Sequence, residues 1–383
     1  MTSVPRFFQD PGTSFFLFGP RGTGKSTWLR QHFEDPIWID LLDPEQHRRY
    51  LARPERLRGR IAAEPSKRIV VVDEIQKVPS LLDVIHQEIE TERAPRFVLT
   101  GSSARKLRRT GVDLLAGRAI LRSLHPFMAS ELGSRFDLDA ALVRGLVPLV
   151  WDSDRPDDVL RTYVAAYVKE EVQNEGIVRR LDAFNRFLEA ISFSHAGVIN
   201  VSEVSRESEV NRNTVESYVG VLEDLLLAFR VPVFTKRAKR KLTSHPKFFW
   251  FDAGVFQSIR PRGPLDMPEE IGGAALEGLV AQHLRAWIDY SGTDFELSFW
   301  RTKSGSEVDF VVYGADGFYA IEVKHRATIR RSDLRPLRSF LSDYPEAAGR
   351  LLYRGSERIV IDDILCVPVD EFLRELTPNR PPP

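Results

Sequence analysis

Cysteine is almost absent from this sequence: Cys366 is the only one in 383 residues. A lone cysteine excludes an internal disulfide and a zinc site built from several thiolates, and it fits a reducing compartment. Long apolar runs are missing too, since none approaches the roughly 18 residues that a membrane-spanning helix needs. The first residues also lack the basic and then apolar order of a signal peptide. We therefore expect a cytoplasmic protein without a membrane segment.

A net charge of one sign is the third absence. Lys and Arg together number 54, as do Asp and Glu, so the formal net charge is zero. The overall charge is therefore silent about a nucleic-acid partner, and only local clusters of basic residues can indicate one. The length suggests two to four domains. A hydrophobic content of 43% with 28% charged residues is ordinary for a globular chain.

Five strand-like runs follow one another between residues 14 and 127. They are rich in β-branched and aromatic residues without alternation, which is typical of strands covered on both faces and hence of a parallel α/β sheet. The runs are SFFLFG, PIWIDLL, RIVVVDE, RFVLTGSS and AILRSL. We predict an α/β domain of the P-loop type over residues 1–127, a helical connector over 128–190, a middle domain over 191–260 and a second α/β domain over 261–383.

A phosphate-binding loop follows the first run. The segment FFLFGPRGTGKST matches the pattern G-x-x-x-x-G-K-[ST], with a strand before it and a helix after it. Glycines allow backbone N–H groups to surround phosphate, and the N-terminus of the helix adds positive potential. We predict that ATP binds at this loop, with Lys25 reaching the β- and γ-phosphates and Ser26 binding Mg²⁺. The predicted nucleotide-binding residues are Gly19, Pro20, Arg21, Gly22, Thr23, Gly24, Lys25, Ser26 and Thr27.

An acidic pair ends the third run, RIVVVDE. We expect Asp73 to hold Mg²⁺ through water and Glu74 to polarise the water that attacks the nucleotide. The alternative is an acidic pair that only begins the following helix. A glutamate directly after the aspartate favours ATP hydrolysis of the ring-forming and RecA-like kind over a GTPase-type switch.

The fourth run, RFVLTGSS, ends in small polar residues and resembles the sensor strand of AAA+ ATPases. Ser102 is the first candidate for the sensor side chain, with Thr100 and Ser103 behind it, although a turn cap explains these residues nearly as well. Arg118, in LLAGRAI, is a candidate γ-phosphate arginine, acting in its own subunit or in a neighbour. A solvated or salt-bridged arginine is the alternative.

The middle segment has a helix–turn–helix rhythm. We predict a first helix over residues 201–207 and a second helix over 214–229, capped by Asn213 and apolar on one face. A basic run follows and resembles the wing of a winged-helix domain, whose positive charges would contact DNA phosphates. Its basic residues are Lys236, Arg237, Lys239, Arg240 and Lys241. The alternative is a fold that mediates protein contacts, with the basic run as a solvated turn.

The stretch EVDFVVYGADGFYAIEVKHR contains two strand-like runs around a turn. If GADG is the hairpin loop, Tyr313 faces Phe318, and Asp309 lies directly opposite Glu322. Lys324 then lies on the same face, because side chains alternate along a strand. Two facing carboxylates repel each other unless a cation or proton lies between them, and Mg²⁺ prefers oxygen ligands. We therefore predict a metal site at this hairpin, with the lysine beside the attacking water.

The spacing of Asp309, Glu322 and Lys324 resembles the PD-(D/E)xK nuclease fold. Such folds often place another metal-binding acid in the preceding helix, and Glu277 holds that position in this sequence. Arg301 and residues 305–307 would help to line the site. Active nuclease chemistry is one outcome, and a domain retained only for binding is another. The remaining alternative is an exposed hairpin with salt-bridged charges.

Nearly the whole chain resembles a widespread prokaryotic family. Its members join an N-terminal AAA-type ATPase to a winged-helix segment and a C-terminal domain of uncharacterised function with a nuclease-like core. The motifs that carry the resemblance are GPRGTGKST, VVVDEIQ, FVLTGSSARKL, LAGR and EVDFVV…IEVK. The resemblance implies an ATPase that uses ATP and Mg²⁺.

Three functions are compatible with this sequence. The first is a DNA-associated ATPase that assembles as a homo-oligomer, in one form a ring-shaped motor acting on branched or damaged DNA. The second is a nucleotide-dependent switch in defence or signalling whose C-terminal domain binds a partner. The third is an ATP-driven remodeller of proteins. A DNA-binding measurement as a function of salt separates the first function from the other two.

Overall fold

The computed structural model describes residues 4–102, 115–168, 180–243 and 245–383. These residues form two compact units. Residues 8–125 and 224–226 make up the first, which we call the N-terminal unit. The other described residues make up the C-terminal unit. Within these ranges, no helix is both long enough and apolar enough to cross a membrane.

The N-terminal unit is built on a five-stranded sheet. Its strand pairs are all parallel, and the strand order is β2-β3-β4-β1-β5. Nearly every residue of β1, β3 and β4 is buried, as expected for strands covered on both faces. The five predicted strands are therefore confirmed. They are β1 Phe15–Phe18, β2 Ile37–Asp40, β3 Ile69–Asp73, β4 Arg96–Gly101 and β5 Ile120–Ser123.

Four helices pack on this sheet through apolar faces. In α4 the buried side chains recur at positions i, i+1, i+3 and i+4, so that one side of the helix meets the core while the other meets water. Short 3₁₀ turns at Ile75–Lys77 and Leu115–Gly117 follow β3 and precede β5. The helices are α1 Lys25–His32, α2 Pro44–Ala52, α3 Arg56–Ala63 and α4 Leu81–Glu88.

The predicted helical connector contains only helices among its regular elements, as far as residues 128–190 are described. Proline opens two of them at the first helical position, where its missing N–H has no intrahelical acceptor to lose. The helices are α5 Ala129–Leu132, α6 Leu138–Arg144, α7 Pro148–Trp151, α8 Pro156–Thr162 and α9 Leu181–Ser192, with a π-helix at Tyr163–Val168.

The middle segment orders its elements as helix, strand, helix, helix, strand, strand, beginning with α9. Its three strands form an antiparallel sheet of order β6-β8-β7. The further elements are β6 Gly197–Val198, α10 Val201–Ser208, α11 Arg212–Asp224, β7 Ala228–Val231 and β8 Lys247–Trp250.

The helix α11 ends earlier than the sequence predicts. It stops at Asp224, and Leu226 adopts a φ of 60°, a left-handed backbone conformation that no α-helix continues through. Phe229 lies in β7 and pairs with Phe249 of β8. The apolar run that suggested a longer helix therefore crosses from a helix into a strand, and both elements bury it.

The predicted cap of α11 is also wrong by two residues. Asn211, and not Asn213, accepts a hydrogen bond from the backbone N–H of Thr214 at 2.8 Å. The Asn211 carbonyl oxygen accepts a second bond from the Thr214 hydroxyl at 3.0 Å. Asn213 is exposed, because the helix has already begun at Arg212.

The last part of the chain forms a six-stranded mixed sheet of order β13-β14-β12-β11-β10-β9. The strands β9, β10 and β11 are antiparallel neighbours, whereas β11, β12 and β14 run parallel. The parallel connection from β11 to β12 passes through α14, whose buried face packs on the sheet. The elements are α12 Ala253–Ile259, α13 Pro268–Ser291, β9 Glu296–Arg301, β10 Glu307–Gly314, β11 Gly317–Lys324, α14 Arg335–Asp343, β12 Ala348–Tyr353, β13 Ile359–Ile361, β14 Ile364–Pro368 and α15 Val369–Glu375.

The hairpin of β10 and β11 has the register that the sequence predicts. Tyr313 pairs with Phe318, and the ladder runs back to Phe310 and Ile321. The loop is tighter than the expected four residues, since Gly314 and its partner Gly317 belong to the strands.

The loop between β7 and β8, which carries the predicted wing, packs along β9. Val233 forms an isolated bridge with Phe299, and Leu242 forms another with Thr302. Phe234 is buried in the hydrophobic core of the six-stranded sheet. The predicted boundary at residue 261 thus falls within one compact unit, because this loop extends the packing across it.

Candidate functional site

The loop that follows β1 is shaped by its glycines. Gly22 and Gly24 have φ values of 81° and 89°, which non-glycine residues rarely adopt. The Thr23 hydroxyl donates a hydrogen bond to the Pro20 carbonyl oxygen at 2.9 Å and closes the turn. At Gly19, an added Cβ would lie 2.4 Å from the Leu124 carbonyl oxygen, so no side chain fits there. The loop therefore has the tight backbone that an anion-binding turn requires.

Lys25 opens α1 directly after this loop. Its side chain is buried, and its ammonium donates hydrogen bonds to the carbonyl oxygens of Gly19 at 2.7 Å and Pro20 at 3.2 Å. These carbonyls hold the ammonium against the loop, at the N-terminus of a helix, where an anion is stabilised. The charge needed to bind phosphate therefore lies at the loop itself.

Three structural elements meet at the carboxylate of Asp73. The Ser26 hydroxyl donates to Asp73 Oδ2 at 2.7 Å, and the Thr100 hydroxyl donates to Oδ1. Asp73 is buried at the end of β3, between α1 and β4. Both donors are neutral, so the negative charge of the carboxylate is not cancelled by them. A hydroxyl and a carboxylate brought together in this way are the oxygen ligands that suit Mg²⁺.

Glu74 has a left-handed backbone, with φ 62° and ψ 48°. Its backbone N–H donates to the Thr100 hydroxyl oxygen at 3.0 Å, and its carboxylate accepts from the Gln76 amide. A non-glycine residue in this region costs on the order of 1 kcal/mol, so the surrounding contacts must hold it. The turn lifts the glutamate out of the strand while Asp73 stays in it.

The polar residues of β4 divide the predicted sensor role differently from the sequence expectation. Thr100 contacts both members of the acidic pair. Ser102, the first candidate, accepts a hydrogen bond from the Gln76 amide at 3.2 Å. Ser103 lies outside the described residues. Gln76, which the sequence analysis missed, links Ser102 to Glu74, and its place three residues after the conserved-type Asp–Glu pair was the available signal.

Arg118 lies apart from this group of contacts. Its guanidinium forms an ion pair with Glu90, and about 38% of its side chain is exposed. This is the salt-bridged alternative named for it above. Among the other predicted nucleotide-binding residues, Arg21 and Thr27 are exposed at the two ends of the loop.

The acids of the C-terminal unit also converge. Asp309 accepts a hydrogen bond from the Val323 N–H at 2.9 Å, and its own N–H lies 3.3 Å from Glu322 Oε2. Lys324 pairs with Glu322. The three residues chosen from the hairpin pattern therefore do lie together, and Glu277 joins them through Lys247.

Lys247, from β8, was missed by the sequence analysis. Its ammonium lies within 3.2 Å of Glu277, Glu307 and Asp309, and only 1% of its side chain is exposed. Arg301 pairs with Glu307 at 3.2 Å. A lysine directly before the aromatic run FFW was the signal available for a buried cation.

These residues do not fit a divalent cation. Among the described residues, no group of three or more His, Cys, Asp and Glu side chains is arranged to hold a metal ion. Burial, and next the charge of Asp309, raises the pKa of Glu277 to about 8 and that of Glu322 well above its usual value. Both carboxyls are therefore poor cation ligands at neutral pH, and no metal-dependent step is derived from this cluster.

The basic loop between β7 and β8 splits into two kinds of residue. Lys236 pairs with Glu296 at 2.8 Å, and Arg240 pairs with Asp343 at 2.6 Å. The other three, Arg237, Lys239 and Lys241, are exposed and make no ion pair with any residue that the structure describes. The next basic residue along the surface is Lys303, whose backbone N–H bonds the Lys241 carbonyl oxygen. The exposed cations are Arg237, Lys239, Lys241 and Lys303.

Comparisons with known proteins agree with the N-terminal site. Residues 12–133 match the family model of an AAA domain. Residues 111–266 and 272–372 match two models described only as domains of unknown function, DUF8612 and DUF4143. The fold and the site together thus define an AAA-type, nucleotide-binding P-loop domain at the N-terminus. The family models of the remaining segments assign them no activity.

Two solved structures were also compared with the chain, and no curated protein matches it significantly. The replication initiator DnaA, bound to AMPPCP and single-stranded DNA, is 14% identical over 55% of this chain and 82% of its own, with a TM-score of 0.28. Protein VC1899 from Vibrio cholerae is 10% identical over 95% of this chain and 96% of its own, with a TM-score of 0.23. Both scores are too low to define a shared fold.

Proposed function

We propose that this protein hydrolyses ATP with Mg²⁺ in its AAA-type domain. The observation that carries the proposal is the carboxylate of Asp73, which accepts from the hydroxyls of Ser26 and Thr100 at once. This contact joins the phosphate-binding loop, the acidic strand and the polar end of β4 at one point. Such a junction serves a nucleotide-bound cation and has no evident structural purpose of its own.

Each residue of the junction has a distinct role in the proposal. Lys25 binds the β- and γ-phosphates from the loop of residues 19–27, and Ser26 with Asp73 holds Mg²⁺, which neutralises phosphate charge. Glu74 accepts the proton of the attacking water or polarises it. Thr100 positions both acids, since it donates to one carboxylate and accepts from the backbone of the other residue.

The test is ATP turnover together with nucleotide binding. Lys25→Ala should abolish binding, because it removes the charge that faces the phosphates. Glu74→Gln should bind ATP as the wild type does and not hydrolyse it. Lys77→Ala, at an exposed lysine of the same strand end, is the matched control and should change neither. Wild-type turnover by Glu74→Gln would remove that residue from the water-activating role.

We further propose that the protein associates with DNA through its middle segment. The order helix, strand, helix, helix, strand, strand supports a winged-helix domain, and the β7–β8 loop takes the position of the wing. The exposed cations of this loop supply a sequence-independent attraction to phosphates. Lys236 and Arg240 are excluded from this role, because acids of the six-stranded sheet already neutralise them.

Two triple and double substitutions distinguish these groups. Replacing Arg237, Lys239 and Lys241 with alanine should weaken duplex DNA binding and lower the log–log salt slope by about 0.9 for each lost contact. Replacing Lys236 and Arg240 is the matched control and should leave the slope unchanged. An unchanged slope in the triple variant would favour a protein-binding role, as in a signalling switch or a protein remodeller.

The order of α13, three antiparallel strands, α14 and β12 supports a nuclease-like fold in the C-terminal domain. We propose that this domain binds and does not cleave, because Lys247 lies among its acids. Incubation of the wild type with duplex and junction DNA in Mg²⁺ or Mn²⁺ tests this proposal. Cleavage that is lost in Asp309→Ala would contradict it.

Assembly into a homo-oligomer completes the proposal. In that arrangement the exposed Arg118 would leave Glu90 and serve the γ-phosphate of a neighbouring subunit. Mixing Arg118→Ala with Lys25→Ala chains should then recover activity in shared sites, since an arginine finger contributes roughly 10³-fold or more in rate. Near-normal turnover by Arg118→Ala alone would remove it from the site.

A further inference from the structure

The side chain of Lys247 crosses from one sheet to another. Its backbone belongs to β8 of the three-stranded middle sheet, where it pairs with Val198 of β6 and Val231 of β7. Its ammonium, however, lies among carboxylates of α13 and β10. Since only 1% of the side chain is exposed, these carboxylates take the place of water around the charge.

Three carboxylates surround the ammonium at hydrogen-bond distance. Nζ lies 2.8 Å from Glu277 Oε1, 2.5 Å from Glu307 Oε1 and 3.2 Å from Asp309 Oδ1. An ammonium has three N–H donors and no acceptor, so this arrangement satisfies it completely. It is a centre of positive charge held by oxygen atoms from three residues, as a bound cation would be.

The remaining oxygens of the cluster are committed to other donors. Asp309 Oδ2 accepts from the Val323 N–H at 2.9 Å. Glu322 is paired with Lys324, and Glu307 Oε2 lies 3.2 Å from Arg301. Four carboxyl groups therefore face three side-chain cations supplied by the chain itself.

A divalent cation and this ammonium exclude each other. Mg²⁺ requires oxygen ligands at about 2.1 Å in octahedral geometry. An ion that shared the oxygens of Glu277 and Asp309 would lie within a few ångströms of the lysine charge, with strong repulsion in a dry site. Burial lowers the pKa of Lys247, but attraction by Glu277, Asp309 and Glu307 outweighs burial and raises that pKa well above 10.5. The lysine therefore keeps its charge at neutral pH.

We propose that Lys247 is an internal counter-ion that occupies the place of a divalent cation in this acid cluster, so that the cluster joins the middle sheet to the six-stranded sheet and binds no metal while the lysine is present. The inference rests on the contacts of Lys247 and not on ATP hydrolysis. It makes the cluster a latent cation site, which a substitution at one position opens.

The first experiment compares full-length wild type, Lys247→Met and Lys324→Met by thermal unfolding. Methionine keeps the length of the side chain and removes its charge. In EDTA, Lys247→Met should unfold at a lower temperature than the wild type, and millimolar MnCl₂ should raise its midpoint by several degrees. The wild type should show no such rise, and Lys324→Met is the matched control, since its ammonium contacts Glu322 and not the other three acids. A wild-type rise equal to that of Lys247→Met, or no rise in Lys247→Met, would overturn the proposal.

A second experiment does not depend on the folding of Lys247→Met. The Asp73→Asn protein removes the acid of the nucleotide site, and electron paramagnetic resonance of free Mn²⁺ then reports binding elsewhere in the chain. This protein should leave all added Mn²⁺ free. One tightly bound Mn²⁺ per chain that disappears when Asp309→Asn is added would show that the cluster takes the metal with Lys247 in place, and the counter-ion assignment would fail.

Discussion

Both units of this protein gather buried acids at strand ends, and they differ in what holds those acids. Asp73 is held by the hydroxyls of Ser26 and Thr100, which are neutral. Asp309 is held by the ammonium of Lys247 and by a backbone N–H. A neutral donor leaves the charge of a carboxylate available to a cation, whereas an ammonium cancels it. Acidic residues in a strand pattern therefore do not define a metal site until their hydrogen-bond donors are known.

The largest expected effect concerns the acid held by hydroxyls. Asp73→Asn keeps the shape of the side chain and removes its charge, so the rate of ATP hydrolysis should fall by roughly 10²- to 10³-fold. Asp83→Asn, at an exposed aspartate of α4, is the matched control and should keep the wild-type rate. Steady-state hydrolysis measures both. A normal rate in Asp73→Asn would mean that the hydroxyl-held acid serves no cation.

The two buried lysines should differ in their effect on stability. Lys247→Ala leaves three buried carboxyls without their cation, and loss of one partner of a buried ion cluster costs about 3–5 kcal/mol. Lys25 contacts two carbonyl oxygens, so Lys25→Ala should cost only about 1 kcal/mol. Chemical unfolding measures the difference. Equal losses in the two variants would erase the distinction between a lysine that binds a ligand and one that holds the fold.

The hydroxyls themselves provide a finer test. Thr100→Val leaves both the Asp73 carboxylate and the Glu74 N–H without a partner, and we expect about a tenfold loss of turnover, or about 1.4 kcal/mol. Ser102→Ala should cost less, since it removes a single acceptor of Gln76. Turnover numbers at saturating ATP decide between them. A greater loss in Ser102→Ala would restore the order of candidates that the sequence favours.

The smallest effect concerns a buried group that has no counter-ion. The Nε2 atom of His283 accepts from the Ala129 N–H at 2.9 Å, and its Nδ1 donates to the Leu279 carbonyl oxygen, so the ring is held neutral. Burial lowers the pKa of His283 to about 4, below the unfolded value near 6.5. This stability is therefore present above pH 6.5 and is lost as the pH falls towards 4, by about 1.4 kcal/mol per pH unit. Unfolding measured between pH 7 and 5 should show the loss.

The variant His283→Leu separates this contribution from others. His195 is also buried, which lowers its pKa to about 3, so it adds a second loss of the same sign. The leucine variant should retain the His195 part and show about half of the original pH dependence between pH 6 and 5. An unchanged dependence would mean that His283 is protonated in the folded protein.

The fold of the N-terminal unit was predictable because its signals are local. Each of the five strands is an apolar run of its own, and the loop motif follows β1 directly. The hairpin register was predictable for the same reason, since a short turn and side-chain alternation determine which residues face each other. The role of Thr100 needed one further fact. Val72 pairs with Leu99, and the next step along the ladder brings Asp73 beside Thr100.

The partners of the C-terminal acids could not be predicted in this way. Lys247 lies 30 residues from Glu277 and 62 from Asp309 along the chain, and it comes from a different sheet. No periodicity connects such positions. The same holds for the basic loop, where Lys236 and Arg240 look like their neighbours in sequence but face acids of β9 and α14. Composition counts charges, and only packing decides which of them are neutralised.

The position of Lys247 has a consequence for how this chain can be divided or recombined. A fragment that began after β8 would contain Glu277, Glu307 and Asp309 without the cation that balances them, and it would be expected to aggregate or to recruit a metal. Exchange of C-terminal domains between related chains would meet the same obstacle, since each domain inherits a charge deficit that only its own β8 lysine corrects. The heritable module is therefore the six-stranded sheet together with the strand that precedes it, and the natural point of division lies before residue 247.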